Sequence, residues 1–329
     1  MKMGEKKRIE YIDLMKGICI TMVILLHCGF FEGKLALINE YLKLFRMPLY
    51  FFLSGLFFKT YGGFSSFTIK KINNLVLPYL FFSLLYLIYF TISSHNNIDY
   101  SSWKYYFFGF IEPYNYPLWF LRSLFISYIL YYILCKLIPN PTQRIISSFI
   151  ISIFIWHIAP FFKGMNNILA EWIFIRLNAL TSLFVLPYIA VAELFKNKGL
   201  LSLSLSPSKN LILFCISSFF LITMHTEKFG LFSADYGDNL FRLYISSFSG
   251  IFAIYFLSRI FKRVYFFSYI GRYSIIALGI HTILILIIKD IVPNIQPWLL
   301  SLAVLLLCPL FILILKNNFP YFTAQKELF

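Results

Sequence analysis

The chain has 329 residues, of which 60% are hydrophobic, 21% are aromatic and only 13% are charged. About a quarter of the residues of a soluble domain are charged, so this composition excludes a soluble globular protein. The formal net charge of +15 is compatible with binding to nucleic acid, to an anionic surface or to a membrane.

Long apolar stretches recur along the whole chain. A transmembrane helix needs about 20 such residues, and stretches close to this length lie at 12–32, 43–60, 75–93, 117–138, 145–161, 171–192, 210–225, 240–258, 268–289 and 297–315. We therefore predict an all-α fold class, a polytopic membrane helix bundle with about ten transmembrane helices in a single integral-membrane domain, 1–329. The amphipathic stretch 64–74 is predicted to lie along the membrane interface before the third span begins.

The basic residues are spread singly over the connecting segments. Most of them fall on one side of the predicted membrane, in the segments that share a side with both termini. Lys and Arg resist translocation during insertion, so we predict a cytoplasmic N-terminus and C-terminus in a multi-pass protein of the cell (inner or plasma) membrane. The lipid bilayer is then its partner, and no nucleic-acid partner is expected.

The five cysteines lie in or beside apolar stretches and form no CxxC pair. This pattern argues against a disulfide framework and against a zinc site. We predict no metal.

The first predicted span carries three ionisable residues on one stripe. Asp13, Lys16 and His27 point in similar directions at 100° per residue, and Lys16 and His27 are separated by about 16 Å along the axis. An ionisable group in hydrocarbon costs about 2.5–3.5 kcal/mol or more, so it usually faces the bundle interior and marks a site. Asp13 and Lys16 equally fit an interfacial pair with a snorkelling lysine.

The second span begins with Arg46 and contains the small-residue pair Ser54-Gly55. A small-residue notch lets a helix or a ligand approach closely. Arg46 fits either an acceptor site or a snorkelling anchor at the outer surface.

The fourth span places Arg122 one turn below Trp119. Trp119 alone is typical of the aromatic belt at a membrane interface. A guanidinium at the depth of Arg122 needs a carboxylate or a ligand oxygen, and Glu112 and Glu171 are its candidate partners.

The ninth span begins near Gly271-Arg272 and carries His281 near mid-membrane. A basic residue beside a helix N-terminus suits a phosphate, although Arg272 equally fits an ordinary cytoplasmic anchor. His157, which lies close to Pro160 at the end of the fifth span, is interpreted as structural.

Several segments occur in a characteristic order along the chain: Tyr11-Ile12-Asp13-Leu14-Met15-Lys16-Gly17 followed by His27; Phe45-Arg46-Met47-Pro48-Leu49-Tyr50-Phe51-Phe52-Leu53-Ser54-Gly55; Leu77-Pro78-Tyr79; Pro117-Leu118-Trp119-Phe120-Leu121-Arg122; and Ile270-Gly271-Arg272-Tyr273-Ser274 with His281. Together they resemble the acyltransferase 3 family of integral-membrane acyltransferases, and within it the fucose 4-O-acetylase-related branch, which modifies surface polysaccharides.

The resemblance implies a bundle of about ten helices and an acyl-CoA donor bound from the cytoplasmic side. It also implies a first-helix motif of a basic residue and a His separated by ten residues, which Lys16 and His27 supply here. Lys16 stands where many members have Arg, and Arg46 stands where members commonly have His.

With this resemblance, the sequence predicts a membrane O-acetyltransferase that moves an acetyl group from acetyl-CoA to a sugar hydroxyl of a cell-surface polysaccharide or its lipid-linked precursor. A neutral imidazole suits removal of the hydroxyl proton, so we expect His27 to be the general base, with an acyl-carrier role as the alternative. The expected roles of the other candidates are orientation by Asp13, assistance by His281, acceptor or oxyanion binding by Arg122 and Arg46, acceptor contact by Trp119 and Glu112, and CoA contact by Lys16, Ser54 and Arg272. No cofactor is expected to be permanently bound, because acetyl-CoA is a substrate.

Two other functions fit the buried charges. One is a transporter or flippase for a lipid-linked glycan or polysaccharide, and the other is a non-catalytic membrane subunit. The absence of a recognisable internal repeat in the sequence argues against the transporter. A homodimer is one assembly that the sequence allows.

Overall fold

The computed structural model describes residues 9–93, 116–163 and 178–329. Helices make up nearly all of the regular structure in these ranges. The α-helices are α1 (Glu10–His27), α2 (Ala36–Leu56), α3 (Phe64–Lys71), α4 (Leu77–Ser93), α5 (Trp119–Leu137), α6 (Pro141–Lys163), α7 (Ala179–Phe184), α8 (Leu186–Asn197), α9 (Pro207–Thr223), α10 (Leu240–Phe261), α11 (Tyr265–Arg272), α12 (Ser274–Ile291) and α13 (Pro297–Asn318). The strands β1 (Phe229–Gly230) and β2 (Asp235–Tyr236) form an antiparallel hairpin between α9 and α10.

Polar caps mark where several helices begin. The Ser206 hydroxyl accepts a hydrogen bond from the Lys209 amide at the start of α9, and Pro207 occupies the first turn. The Asn239 side chain accepts from the Arg242 amide at the start of α10. Each cap satisfies an amide that the first helical turn leaves without an intrahelical partner.

Seven helical segments in the described ranges are long and apolar enough to cross a membrane: Phe64–Ser93, Trp119–Leu137, Pro141–Lys163, Ala179–Asn197, Leu240–Phe261, Ser274–Ile291 and Pro297–Asn318. The predicted helical, multi-pass architecture is therefore confirmed. The other three predicted spans correspond to the 17-residue helix α9 and to α1 and α2, which carry acidic and basic residues. The count of ten and the sidedness of the termini stay predictions.

The stretch 64–74 is helical, and its place along the membrane interface stays a prediction. A π-helical turn, Ile72–Val76, joins α3 directly to α4. Pro78 has no amide hydrogen to donate to the carbonyl four residues earlier, and a π turn is a common way to accommodate such a break. The Lys71 side chain, at the end of α3, is buried inside the bundle, with only 5% of its surface exposed.

Helix α1 lies at the centre of the bundle, where it contacts α2, α10, α11, α12 and α13. Its closest approach is to α11, and it depends on two glycines. A Cβ atom added to Gly17 would lie 1.9 Å from the Phe267 carbonyl oxygen, and one added to Gly271 would lie 1.9 Å from the Asp13 carbonyl oxygen. The two backbones therefore meet without side chains between them, as in other small-residue contacts between membrane helices.

We expect Gly17→Ala and Gly271→Ala each to destabilise the protein, because the new methyl group overlaps backbone atoms that cannot rotate away. Overpacking of this kind costs about 1–3 kcal/mol, and thermal unfolding in detergent measures the loss. Gly62→Ala is the matched control, since nothing lies within 4 Å of its Cβ position. Equal melting temperatures for Gly271→Ala and Gly62→Ala would contradict the packing described here.

Candidate active site

Among the cavities of the described residues, two are lined by both α1 and α2, and the first of these contains two lysines. This lysine cavity has a volume of about 320 Å³. Its lining residues are Lys16, Tyr50, Leu53, Ser54, Phe57, Tyr61, Lys71, Asn74, Leu75, Phe120, Leu121, Leu124, Tyr128, Ser274, Ile275, Leu278 and Ala324.

The second cavity contains His27 and two further basic residues. This histidine cavity has a volume of about 230 Å³. Its lining residues are Val23, Leu26, His27, Asn39, Lys43, Arg46, Met47, Pro117, Trp119, Phe229, Gly230, Leu231, Phe232 and Leu278.

The two cavities are stacked along the axis of the bundle. Helices α1, α2, α5 and α12 each contribute at least one residue to both cavities, whereas α3 contributes Lys71 to the lysine cavity alone. Along α2, for example, the histidine cavity takes residues up to Met47 and the lysine cavity takes residues from Tyr50 onward. Helix α1 runs in the opposite direction. Its earlier residue Lys16 lines the lysine cavity, and His27, about 16 Å further along the helix, lines the histidine cavity. Leu278 lines both cavities.

The two lysines of the lysine cavity rest on aromatic rings. The Lys16 ammonium lies 5.0 Å from the centroid of Phe57. The Lys71 ammonium lies 3.7 Å from the centroid of Tyr128 and 5.5 Å from that of Phe67. Such cation–π contacts offset part of the cost of burying an ammonium group. Within the described residues, Lys71 has these aromatic contacts but neither a hydrogen bond nor an ion pair, so its charge is available to an anion.

A backbone segment after α13 closes one side of the lysine cavity. Ala324 lines the cavity, and the buried Asn73 side chain accepts hydrogen bonds from the Leu328 and Phe329 amides at 2.8 and 3.1 Å. Lys70 pairs with Glu327 in the same segment. Tyr61, in the connection between α2 and α3, lines the cavity too, and burial raises the pKa of its phenol.

The histidine cavity is basic and partly aromatic. The Arg46 side chain is 6% exposed and donates a hydrogen bond to Asn39 at 3.1 Å. Lys43, one turn from Arg46, pairs with Glu40. Trp119 and Phe232 present their rings to the cavity with centroids 6.0 Å apart.

The β-hairpin covers the histidine cavity. Residues Phe229–Phe232 form this cover, and the Thr181 hydroxyl holds it by donating to the Leu231 carbonyl at 2.7 Å. Asp238, just beyond the hairpin, accepts hydrogen bonds from the Thr226 hydroxyl and from the Glu227 amide. The hydrogen bond from Thr226 is the largest cause of a lowered pKa of the Asp238 carboxyl, and the bond from the Glu227 amide lowers that pKa further.

The imidazole ring of His281 packs against that of His27, with ring centroids 5.2 Å apart. Its side chain is fully buried, and Nδ1 lies 2.8 Å from the Leu278 carbonyl oxygen. A carbonyl oxygen can only accept, so Nδ1 carries the proton and Nε2 accepts from the Thr282 hydroxyl at 3.2 Å. Both nitrogens of His281 are therefore engaged within the protein, and His27 is the imidazole that lines the cavity.

The structure brings together five of the predicted site residues. His27, Arg46 and Trp119 line the histidine cavity, and Lys16 and Ser54 line the lysine cavity. Gly55, next to Ser54, receives helix α8, because its Cβ position lies 2.6 Å from the Ile189 carbonyl oxygen. The predicted notch thus serves both a cavity and a helix contact.

Other predicted residues line neither cavity. Asp13 is buried beside Gly271, and Arg272 is exposed over the ring of Tyr273. Arg122 points to the other face of α5, where it donates to Asn178 at 2.8 Å and approaches the Tyr79 hydroxyl at 3.5 Å.

Two acidic residues had been expected to serve the site. Glu112, predicted to contact the acceptor, and Glu171, the other candidate partner of Arg122, lie outside the described residues.

Sequence reasoning assigned no site role to Lys71, Asn39, Lys43 or the hairpin. One signal could have found Lys71. Phe64, Phe67 and Lys71 follow the i, i+3, i+7 spacing of an apolar helix face, so Lys71 shares that face while Lys70 does not. The hairpin offers no comparable signal, since strands of two residues are too short to produce a hydrophobic pattern.

The family model of the acyltransferase 3 family, described as an acyltransferase domain, matches residues 9–316. No curated protein and no solved structure matches the chain. Since the family match extends from α1 into α13, this multi-pass membrane protein belongs to the acyltransferase 3 family, as the order of its sequence motifs predicts.

Proposed function

We propose that this membrane acyltransferase moves an acetyl group from acetyl-CoA to a sugar hydroxyl of a cell-surface polysaccharide or its lipid-linked precursor, as expected for the fucose 4-O-acetylase-related branch. One observation carries the proposal: a cavity with the half-buried Lys16 and the buried Lys71, and a cavity with an imidazole, meet at Leu278. A transferase needs such a meeting point, because donor and acceptor must be held within about 3–3.5 Å at their reacting atoms.

The lysine cavity suits the donor. Coenzyme A carries its phosphates at one end and its thioester at the other. Lys16 and Lys71 are placed to bind the anionic end, since charge-assisted hydrogen bonds to a phosphate are among the strongest that side chains make. The apolar end of the cavity, at Phe120, Leu121 and Leu278, suits the acyl group.

The histidine cavity suits the acceptor. Aromatic rings such as those of Trp119 and Phe232 can pack against the C–H face of a sugar, while a few polar groups fix its orientation. Arg46 is buried in the same cavity and donates a hydrogen bond to Asn39. It is the group best placed to stabilise negative charge on the acceptor side.

The proposed reaction moves one proton twice. The His27 imidazole removes the proton from the sugar hydroxyl as its oxygen attacks the thioester carbonyl carbon. The new C–O bond forms, the C–S bond breaks, and the leaving CoA thiolate takes the proton from the His27 imidazolium. His281 is a positioning residue in this scheme, because both of its ring nitrogens are bonded within the protein.

We further propose ten membrane spans in the cell membrane, with both termini and the lysine cavity on the cytoplasmic side. The charged helices α1 and α2 and the shorter α9 then cross the membrane with the seven apolar segments. The distribution of Lys and Arg along the sequence supports this orientation.

Cysteine labelling tests this arrangement. With the exposed Cys215 and the half-buried Cys135 replaced by serine, we expect a membrane-impermeant maleimide to label Ser54→Cys from the cytoplasmic side only. Met47→Cys, two helical turns away on α2, is expected to react from the opposite side only. Leu49→Cys is the matched control, because Leu49 is fully buried on the same helix and should react only after unfolding. Labelling of both cavity positions from one side would contradict the stacked arrangement.

Substitution of His27 tests the proposed base. We expect His27→Ala and His27→Gln each to lower kcat for acetyl transfer by about 10²–10⁴-fold, the usual contribution of a general base. Binding of acetyl-CoA should change little, because His27 lies in the other cavity. His157→Gln is the control, since His157 is exposed on α6. Near wild-type turnover in both His27 variants would refute the role, and movement of the acceptor without consumption of acetyl-CoA would favour a transporter.

Substitution of Lys71 tests the donor site. We expect Lys71→Gln to raise KM for acetyl-CoA by roughly 10–100-fold with a smaller effect on kcat, because a lost charge-assisted hydrogen bond costs about 1.5–3 kcal/mol of binding. Lys70→Gln is the matched control, since the adjacent Lys70 lies outside the cavity and pairs with Glu327. A KM for Lys71→Gln equal to that of Lys70→Gln would remove Lys71 from the donor site.

A further inference from the structure

Leu278 occupies a position that no other described residue shares. Its side chain lines both the lysine cavity and the histidine cavity, and only 4% of its surface is exposed. It therefore lies in the partition between the two cavities, at the level where their ends meet.

The backbone beside Leu278 is closely packed against α4. On the next residue, the Cβ position of Gly279 lies only 2.3 Å from the ring of Phe82, so Phe82 lies directly on the α12 backbone. Within α12, the Leu278 carbonyl also accepts the hydrogen bond from His281 Nδ1 at 2.8 Å. Leu278 therefore belongs to a close-packed turn of α12.

The acyl group of a bound donor has to lie against this partition. The half-buried Lys16 and the buried Lys71 attract the anionic end of the donor, so its thioester extends toward the opposite, apolar end of the lysine cavity. The acceptor hydroxyl approaches from the side of His27. The reacting carbon must come within about 3–3.5 Å of that hydroxyl, and only the level of Leu278 is in contact with both cavities.

We propose that Leu278 determines the length of the acyl chain that the protein transfers. Its side chain limits the space beyond the thioester carbonyl to that of a short acyl group. A longer chain clashes with the Leu278 side chain, because a close-packed interior does not yield to added methylene groups. This inference rests on the proposed transfer from acyl-CoA and adds the residue that restricts its donor.

The test compares acetyl-, propionyl- and butyryl-CoA as donors for the purified protein and for Leu278→Ala. The substitution removes the side chain but keeps the carbonyl that orients His281. We expect the ratio of kcat/KM for butyryl-CoA to that for acetyl-CoA to rise about tenfold or more, within the range that one or two methylene groups produce in an apolar pocket. Leu284→Ala is the matched control, since Leu284 is equally buried on α12 but lines neither cavity.

The outcomes separate this inference from the function on which it rests. If the wild-type protein transfers acetyl groups and Leu278→Ala keeps the wild-type ratio, the inference is wrong and the proposed function stands. If the wild-type protein transfers no acyl group from any of the three thioesters, both are wrong. Should Leu278→Ala fail to fold, Leu278→Val removes less volume, and its propionyl-to-acetyl ratio replaces the first measurement with the same criteria.

Discussion

The cost of placing charge in hydrocarbon determines where the helices of this protein lie. Helices α1 and α2 carry acidic and basic residues, so they are not among the seven segments that are apolar enough to cross a membrane. Such groups are tolerated in a membrane only when they face protein or a cavity. Helix α1 accordingly lies at the centre, in contact with five other helices. The glycine contact with α11 makes this central place possible, because it lets the two backbones touch at Gly17 and Gly271.

Once α1 and α2 are central and antiparallel, a two-sided site follows from their sequences. His27, at the end of α1, and Arg46, midway along α2, fall at one level and share a cavity. Lys16, in the first half of α1, and Ser54, near the end of α2, fall at the other level and share the second cavity. The segments between these levels, 17–26 of α1 and 47–53 of α2, carry no charged residue.

The sequence alone predicts much of this arrangement and omits the rest for physical reasons. Apolar length predicts the helices, and helical phase predicts the stripe that joins Lys16 and His27. The sequence predicts Arg122 near the acceptor, but the direction in which a residue of α5 points depends on its neighbours, and Arg122 bonds to Asn178, the residue before α7. The sequence also leaves the role of Arg272 open, because a basic residue at a helix end fits a phosphate site and an exposed anchor equally well. In the structure Arg272 is exposed.

The clearest omission concerns Lys71, and its cause is instructive. A lysine in a basic, amphipathic segment is normally assigned to the membrane surface. In the structure a π turn before Pro78 joins the segment to a span, and Phe67 and Lys71 of α3 are buried while Phe64 is exposed. Composition alone does not separate Lys71 from its neighbour Lys70, because both are lysines in the same basic segment.

The two imidazoles differ in what they can do because of one backbone carbonyl. His281 donates Nδ1–H to the Leu278 carbonyl and accepts at Nε2 from Thr282, so neither nitrogen is available to a ligand. His27 borders the histidine cavity and lies against the ring of His281. The carbonyl that holds His281 belongs to the residue whose side chain separates the two cavities. The orientation of the imidazole pair and the boundary between the cavities therefore depend on the same turn of α12, and a shift of that turn would disturb both together.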